Sequence, residues 1–348
     1  MNRYMKLNNQ VLIGSSKSQL ESLAVSLGEK PYRGKQLFDW IYRQTIDDIE
    51  EMTDLPVFFR KRIKNFTTLH PLTQIKNLDS NTKLTKKFLF KLQNGNQIES
   101  VFMEQKERIT ICISTQVGCA LDCDFCATAK MGFVQNLSPG EIIDQFLQLK
   151  RLSRKPITNI VFMGMGEPFL NYKNVIAAAE LLHNPEGINI GAKRITISTA
   201  GIIPKIKQFT IDGHKYKLAV SLNGTTQEQR LKTMPVTIKH PLDELLVTVK
   251  DYVQKNKTRV TFEYVLMKDI NDSMEDAKRL KKMLSSINCK LNIIPYNDIG
   301  GVYLRPNNSK IQFFLSGLDK APFPVTVRWS KGVKIDAGCG QLVTRIER

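Results

Sequence analysis

The sequence predicts an α/β fold: a partial, TIM-like (β/α)6 barrel, with a small helical accessory domain before it and a C-terminal extension after it. Two contrasts of period predict this. From about residue 108 onward, six apolar runs of strand length alternate with amphipathic helical stretches, the pattern of parallel strands joined by crossover helices. Residues 1–70 carry helical spacing instead, and residues 71–104 fall into short alternating runs, as half-buried strands do.

The helical part opens with "SKSQLESLAVSLG", which places Leu20, Leu23, Ala24 and Leu27 on one face and stops at Gly28. "GKQLFDWIYRQ" repeats the spacing with Leu37, Phe38, Ile41 and Tyr42, and "PVFFRKRIKNF" makes a third short helix. In the 71–104 segment, Asn94-Gly95 between two alternating runs signals a hairpin. "ITICIST" is the first strand of the barrel. "SPGEIIDQFLQLKRLS" follows as a helix: Ser138 caps it, Pro139 sits in the first turn and Glu141 completes a capping box.

Five more strands alternate with helices in the same way. "TNIVFMG" precedes "YKNVIAAAELLHN", and "KRITISTAG" precedes a short helix from Pro204. "YKLAVSLNG" precedes "PLDELLVTVKDYVQKN", "RVTFEYVLM" precedes "SMEDAKRLKKMLSSI", and "KLNIIPYN" precedes "NSKIQFFLSGLDK". A last strand, "PVTVRWS", leads into the tail. The expected organisation is therefore 1–70 helical, 71–104 a β-rich linker with a hairpin, 105–335 the barrel core and 336–348 the tail.

Composition narrows the function classes. The formal net charge is +18 over 348 residues, an excess that attracts polyanions. The basic residues are dispersed, with denser pieces at "FFRKRIKNF" and "KLTKKFLFK", which suits a large folded RNA better than a groove-reading helix. No run of 18 apolar residues is present, which excludes a membrane-spanning helix. "MNRYMKLNNQ" is polar and lacks the apolar stretch of a signal peptide, so the expected location is the cytoplasm. Six cysteines are too few for a disulfide scaffold in a chain this long.

Three of those cysteines fall within "CALDCDFC": Cys119, Cys123 and Cys126, spaced C-x3-C-x2-C. Structural zinc asks for four ligands, and a fourth would have to come from Cys112, Cys339 or one of four histidines. An iron–sulfur cluster explains the spacing better, because three thiolates leave one iron open to a further ligand. The triplet follows the first strand, and barrel-like α/β folds gather their chemistry at the C-terminal ends of strands. The second strand ends in the Gly-rich turn "VFMGMGEP", where Gly164 and Gly166 permit close backbone approach to a ligand and Glu167 can accept from an ammonium. Ser198 in "STAG", Ser221 in "SLNG" and Asn297 in "IIPYN" put small polar residues at three further strand ends.

The spacing C-x3-C-x2-C resembles the signature of radical S-adenosylmethionine (SAM) enzymes. "QVGCALDCDFCATAKMGF", "FMGMGEPFLN", "ISTAGIIP", "IIPYN" and "IDAGCGQL" together resemble the RlmN/Cfr family of RNA methyltransferases, over nearly the whole chain. The resemblance implies a radical SAM barrel with an RNA-binding N-terminal accessory domain. It implies a [4Fe-4S] cluster on Cys119, Cys123 and Cys126, whose open iron chelates SAM and whose electron cleaves it to a 5′-deoxyadenosyl radical. It implies SAM contacts from Gly166, Glu167, Ser198, Ser221, Leu222, Asn223 and Asn297. Cys339 would become S-methylated, Cys112 would help resolve a protein–RNA adduct, and Glu99 would accept a proton. The implied substrates are an adenosine of the peptidyl transferase centre in 23S rRNA and one beside the anticodon of tRNA, methylated at C2 with two SAM per turnover. A flavodoxin-like electron donor, a monomeric state and a disulfide bond complete the expectations.

The chemistry suits these residues. C2 of adenine has no nucleophilic lone pair, whereas a thiolate attacks the SAM methyl readily. Glycines beside Cys339 in "AGCGQ" permit a mobile loop. Three positions depart from the family pattern: Asn223 stands where His is common, Gln135 in "FVQNL" where Arg is frequent, and Tyr296 before Asn297 where Trp is common. Two alternatives stay open from sequence: C8 methylation on the same fold, and a non-catalytic metal-containing RNA-binding protein.

Overall fold

The computed structural model describes residues 10–82 and 84–344. Residues 1–9, Lys83 of the second basic stretch and the last four residues of the expected tail lie outside the described residues.

The chain starts with β1 (Gln10–Val11), α1 (Lys17–Ser26), α2 (Tyr32–Asp39), α3 (Val57–Phe66) and β2 (Thr67–Thr68). Ser16 caps α1 by accepting from Gln19 N–H, while the Gln19 side chain returns to the Ser16 N–H, so two orphan donors are satisfied reciprocally. Leu20, Leu23 and Ala24 are buried as their spacing predicts. β1 pairs in parallel with β2, closing the helices into one unit. Polar ties dock this unit on the barrel. His70 Nδ1 lies 2.6 Å from the buried Asp144 carboxylate, Leu72 N–H donates to the same group at 3.1 Å, and Arg151 pairs with Asp47 at 2.6 Å.

β3 (Leu72–Asp79), β4 (Thr85–Leu92) and β5 (Gln97–Gln105) form an antiparallel meander, with Gly95 at φ +89° in the predicted turn. The barrel units follow: β6 (Arg108–Cys112), β7 (Gln116–Gly118), α4 (Ala127–Lys130), β8 (Phe133–Asn136), α5 (Pro139–Arg151), β9 (Asn159–Phe162) and α6 (Tyr172–His183). Then come β10 (Ile195–Thr199), α7 (Ile203–Asp212), β11 (Lys217–Ser221), α8 (Gln227–Thr233), α9 (Leu242–Lys255), β12 (Val260–Leu266) and α10 (Met274–Leu284). β13 (Cys289–Pro295), α11 (Asn308–Ser316) and β14 (Val325–Val327) finish the alternation.

One sheet holds ten of these strands, in the order β14-β13-β12-β11-β10-β9-β6-β5-β4-β3. Within this sheet, which does not include β7 and β8, every pairing from β6 to β14 is parallel and every pairing from β3 to β6 is antiparallel. The 71–104 stretch is thus continuous with the barrel sheet rather than a linker beside it. Its pairing with β6 covers an edge that would otherwise expose unpaired backbone groups.

Strand alternation separates core from cavity. On β12, Phe262 is fully buried in the core while Glu263 faces the barrel interior; on β13, Leu291 and Asn292 divide in the same way. Past β14 the chain returns to the meander. A Cβ on Gly332 would meet Thr85 Cγ2 at 2.7 Å, and Val343 N–H donates to Glu99 Oε2 at 3.0 Å. The C-terminal segment therefore packs against β4 and β5. Among the described residues, no helix is long and apolar enough to cross a membrane.

Candidate active site

The barrel encloses a cavity of about 620 Å³. The loop carrying the cysteine triplet forms part of its wall, and backbone bonds hold that loop in shape. β7 and β8 pair as a hairpin. They approach so closely that a Cβ on Gly118 (φ +71°) would fall 1.7 Å from Gly132 O, so only glycine fits there. Cys119 N–H donates to Gly132 O at 3.0 Å, Asp124 N–H to Thr233 O at 3.0 Å, and Ala127 N–H to Gly340 O at 2.7 Å. The loop is thereby tied to its own hairpin, to α8 and to the C-terminal segment.

Cys119, Cys123 and Cys126 all line the cavity. Burial pushes the Cys119 thiol up to about 12 and holds Cys123 well above its ordinary value, with neighbouring Cys126 and Cys119 adding to the shift at Cys123. Ligation would take these protons off, since the thiolate is the metal ligand. Among the described residues, no three His, Cys, Asp or Glu side chains are gathered tightly enough to hold one metal ion. Three soft thiols on one cavity wall, with no fourth cysteine in the loop, have the chemistry that suits a cluster with an open iron.

Against this wall stands the Gly-rich turn after β9. A Cβ on Gly164 would meet Ser114 N at 2.7 Å, and one on Gly166 (φ +93°) would meet Gln116 Cβ at 2.4 Å. The Glu167 carboxylate accepts from Phe169 N–H at 2.9 Å and from Ala200 N–H at 2.7 Å, while its own N–H donates to Gln116 Oε1 at 2.8 Å. Burial raises this carboxyl to about 7 against the pull of those N–H groups. A carboxylate has about four lone-pair sites, so acceptor capacity remains for an ammonium.

Ser198, Ser221 and Asn223 line the cavity from the ends of β10 and β11. Asn223 adopts the left-handed conformation (φ +53°), which Asn tolerates better than most residues. Its Oδ1 accepts from Val265 N–H at 2.8 Å, and its Nδ2 lies 3.4 Å from Met234 Sδ. The side chain thus ties β11 to β12. Leu222 does not line the cavity; it is buried in the core, and its carbonyl accepts from Arg230 Nε at 3.2 Å. Asn297 also stands behind the lining. Its Nδ2 donates to Ser330 Oγ at 2.8 Å and to Cys339 O at 3.0 Å, and its buried Oδ1 has no hydrogen-bond partner. Gln135 points to the β4–β5 turn, where its Oε1 accepts from Asn94 and Asn96. Tyr296 is buried at the cavity wall, edge-on to Tyr303.

Of the three remaining thiols, Cys112 and Cys339 line the same cavity, and Cys289 does not. Cys112 ends β6, buried opposite Val101 of β5 and Val161 of β9, and burial pushes its thiol up to about 12. Cys339 reaches the cavity from the C-terminal segment. That segment is fastened by Gly338 N–H to Gln341 Oε1 (3.0 Å), Gln341 Nε2 to Asp298 O (2.8 Å) and Thr128 Oγ1 to Leu342 O (2.6 Å). Cys339 is exposed, unlike Cys112, although the surrounding cavity wall raises its thiol and Arg328 opposes the rise. The expected disulfide bond is not present: all six cysteines are free thiols. Cys112 belongs to the sheet and Cys339 to a separately anchored turn, so each is held by its own backbone contacts.

Glu99 does not line the cavity. It is buried between β4 and the C-terminal segment, 2.9 Å from Lys87 Nζ. Reasoning from sequence missed three residues that order the site: Lys87, Gln116 and Arg230. Arg230 is fully buried and donates to Leu222 O, Ala200 O and Thr237 Oγ1, bracing the ends of β10 and β11. Nothing in the spacing of "QEQRLKT" separates it from an ordinary surface arginine.

Residues 113–280 match the Radical SAM superfamily, and residues 10–69 match the ribosomal RNA large subunit methyltransferase N-terminal domain. The chain is 42% identical, over 94% of its length and 95% of the relative's, to the "Probable dual-specificity RNA methyltransferase RlmN" of Aquifex aeolicus (strain VF5). It is 39% identical to the "Dual-specificity RNA methyltransferase RlmN" of Anaeromyxobacter dehalogenans (strain 2CP-C), over 93% of this chain and 89% of that one. The crystal structure of a radical SAM methyltransferase from Sphaerobacter thermophilus superposes with a TM-score of 0.92 at 39% identity, covering 94% of this chain and 98% of that one. Radical SAM enzymes work with a [4Fe-4S] cluster and SAM, and the three cavity thiols fit that requirement. These matches over nearly the full length, on the fold and thiol set described, place the chain in the RlmN family of dual-specificity radical SAM RNA methyltransferases.

Proposed function

We propose that the enzyme methylates C2 of an adenosine in the peptidyl transferase centre of 23S rRNA and of an adenosine beside the anticodon in tRNA. The carrying observation is that Cys112 and Cys339 open into the same cavity as the cysteine triplet. In this reading Cys119, Cys123 and Cys126 hold the cluster. Gly166, Glu167, Ser198, Ser221 and Asn223 wall the space for SAM, and Leu222 and Asn297 shape it from behind.

Cluster and SAM together supply a 5′-deoxyadenosyl radical, and a further SAM supplies the methyl group, so two are used per turnover. The chain's own residues do the rest. The Cys339 thiolate takes the methyl group by polar displacement. Arg328, which faces both thiols, favours their ionised forms against the cavity wall. Asn297 holds the Cys339 carbonyl, fixing where the methylated side chain points. Once the 5′-deoxyadenosyl radical has taken a hydrogen atom from the S-methyl group, the methylene carbon joins C2 and Glu99 takes the C2 proton. The Cys112 thiolate then attacks the Cys339 sulfur: the S–S bond forms as the C–S bond breaks, the freed carbon takes a proton to become the methyl group, and the one surplus electron would leave to the redox centre that the three cavity thiols would hold. The N-terminal helical unit contacts RNA, and a flavodoxin-like protein reduces the monomeric enzyme.

The deciding experiment digests rRNA and tRNA after anaerobic reaction with SAM and a reductant, and maps methyl groups by mass spectrometry. C2-methyladenosine in both RNAs is expected. Methyl on C8 alone overturns the proposal in favour of the alternative regiochemistry. Cys339→Ala should keep the iron and lose methyl transfer, and activity persisting in that variant refutes the thiol route.

A further inference from the structure

Lys87 is an unusual residue for an inward position of a sheet. Its side chain is 8% exposed, and its ammonium lies 2.9 Å from the Glu99 Oε1, whose side chain is 7% exposed. On the β4–β5 ladder, Glu99 stands opposite Leu89 and Lys87 opposite Val101, so the two charges meet on the diagonal of one sheet face. The other carboxylate oxygen, Oε2, accepts Val343 N–H at 3.0 Å from the segment that carries Cys339. The carboxylate is thus clamped between the sheet and the C-terminal segment.

We propose that Lys87 is a positioning residue for Glu99: it keeps the carboxylate ionised and holds Oε2 toward the Cys339-bearing segment. The inference rests on the reading of Glu99 as proton acceptor. Burying a carboxylate favours its neutral form, and a neutral acid accepts no proton. Among the described residues, the charged groups acting on Glu99 are Lys87 from β4 and Asp336 from the C-terminal segment, and Val343 N–H donates to it. Lys87 and the N–H oppose the upward push of burial, and Asp336 adds to it. Burial still leaves the carboxyl raised on balance, and among the described residues Lys87 is the cation that opposes that rise and favours the base form. In the step itself the C2–H bond breaks, its proton passes to Oε2 and its electron pair stays with the adduct. Lys87 remains protonated throughout.

The Val343 bond takes one lone pair of Oε2 and leaves the other for a proton. Cys339 and the Val343 donor lie on one short stretch of chain, so movement of Cys339 also bears on how the Glu99 carboxylate is held.

The test uses Lys87→Met, Lys87→Arg and Glu99→Gln in the reconstituted enzyme, following adduct decay in single turnover across pH. Methylation of Cys339, read by mass spectrometry of its peptide, does not involve Glu99 and serves as a folding and cofactor control. Lys87→Met should methylate Cys339 normally yet resolve the adduct about tenfold or more slowly at neutral pH, with the acidic limb of the rate profile moved up by about one pH unit. Lys87→Arg should restore most of the rate and return the limb toward the wild-type position. Glu99→Gln should hold the adduct at every pH. If Glu99→Gln resolves adduct like wild type, the base assignment fails. If Glu99→Gln stalls while the Lys87→Met profile overlies wild type, the positioning role alone is refuted. Where Lys87→Met fails the methylation control, Lys87→Gln takes its place under the same criteria.

Discussion

Gly166→Ala tests the geometry of the turn that faces the cysteine triplet. Two costs follow from the structure. At φ +93° an L-residue is strained by about 1–2 kcal/mol. The added methyl also falls 2.4 Å from Gln116 Cβ, so Gln116 must move. That side chain accepts Glu167 N–H at 2.8 Å and donates to Asn136 at 2.8 Å. Losing a buried bond of this kind costs about 1–3 kcal/mol. The combined penalty is about 4 kcal/mol. At about 2.1 cal/mol/K per residue, over 348 residues, this lowers the melting temperature by about 5 °C. Gly191→Ala is the control, because an added Cβ there meets nothing within 4 Å and φ is ordinary; its effect should stay within about 0.5 kcal/mol. The assay is thermal denaturation of the metal-free protein, joined to SAM binding of the reconstituted enzyme. Since Glu167 follows directly, SAM affinity should fall about tenfold or more. A Gly166→Ala protein that melts with the Gly191→Ala control and binds SAM normally would refute the reasoning.

Two further outcomes follow from burial. Limiting iodoacetamide on the iron-free protein should label Cys339 before Cys112, because Cys339 is exposed and Cys112 is buried with its thiol raised to about 12; peptide mass spectrometry showing Cys112 first would contradict the placement of the C-terminal segment. Glu263 is a buried carboxyl raised by desolvation, with Oε2 lacking a hydrogen-bond partner. A raised folded pKa means its contribution to stability is whole below the ordinary value near 4.5 and is lost as pH rises through the higher folded one. Denaturation of wild type and Glu263→Gln should therefore show the wild type losing ground to the variant from about pH 4.5 upward, and a constant difference across pH would rule this out.

What the sequence by itself determined is whatever depends on neighbours along the chain. Periods of 2.0 and 3.6 marked the strands and helices, Ser138 and Glu141 announced the start of α5, and Asn94-Gly95 marked its hairpin. Cysteine spacing and the Gly-rich turn identified the cavity wall, because ligand sets on one loop are local in sequence. Cys112 and Cys339 were distinguishable from Cys289 only through the family resemblance; their meeting depends on a chain return of more than two hundred residues, which no local rule encodes.

Only the tertiary structure decided that β3 to β5 extend the barrel sheet, because strand partners are chosen by pairing across space. It also moved Leu222 and Asn297 from the expected lining to the support behind it. Lys87 and Arg230 carry charges that composition assigns to the surface, yet each is buried against groups from other elements. A charge becomes a positioning device only when the fold removes water around it and supplies a partner, and both conditions are set by contacts distant in sequence.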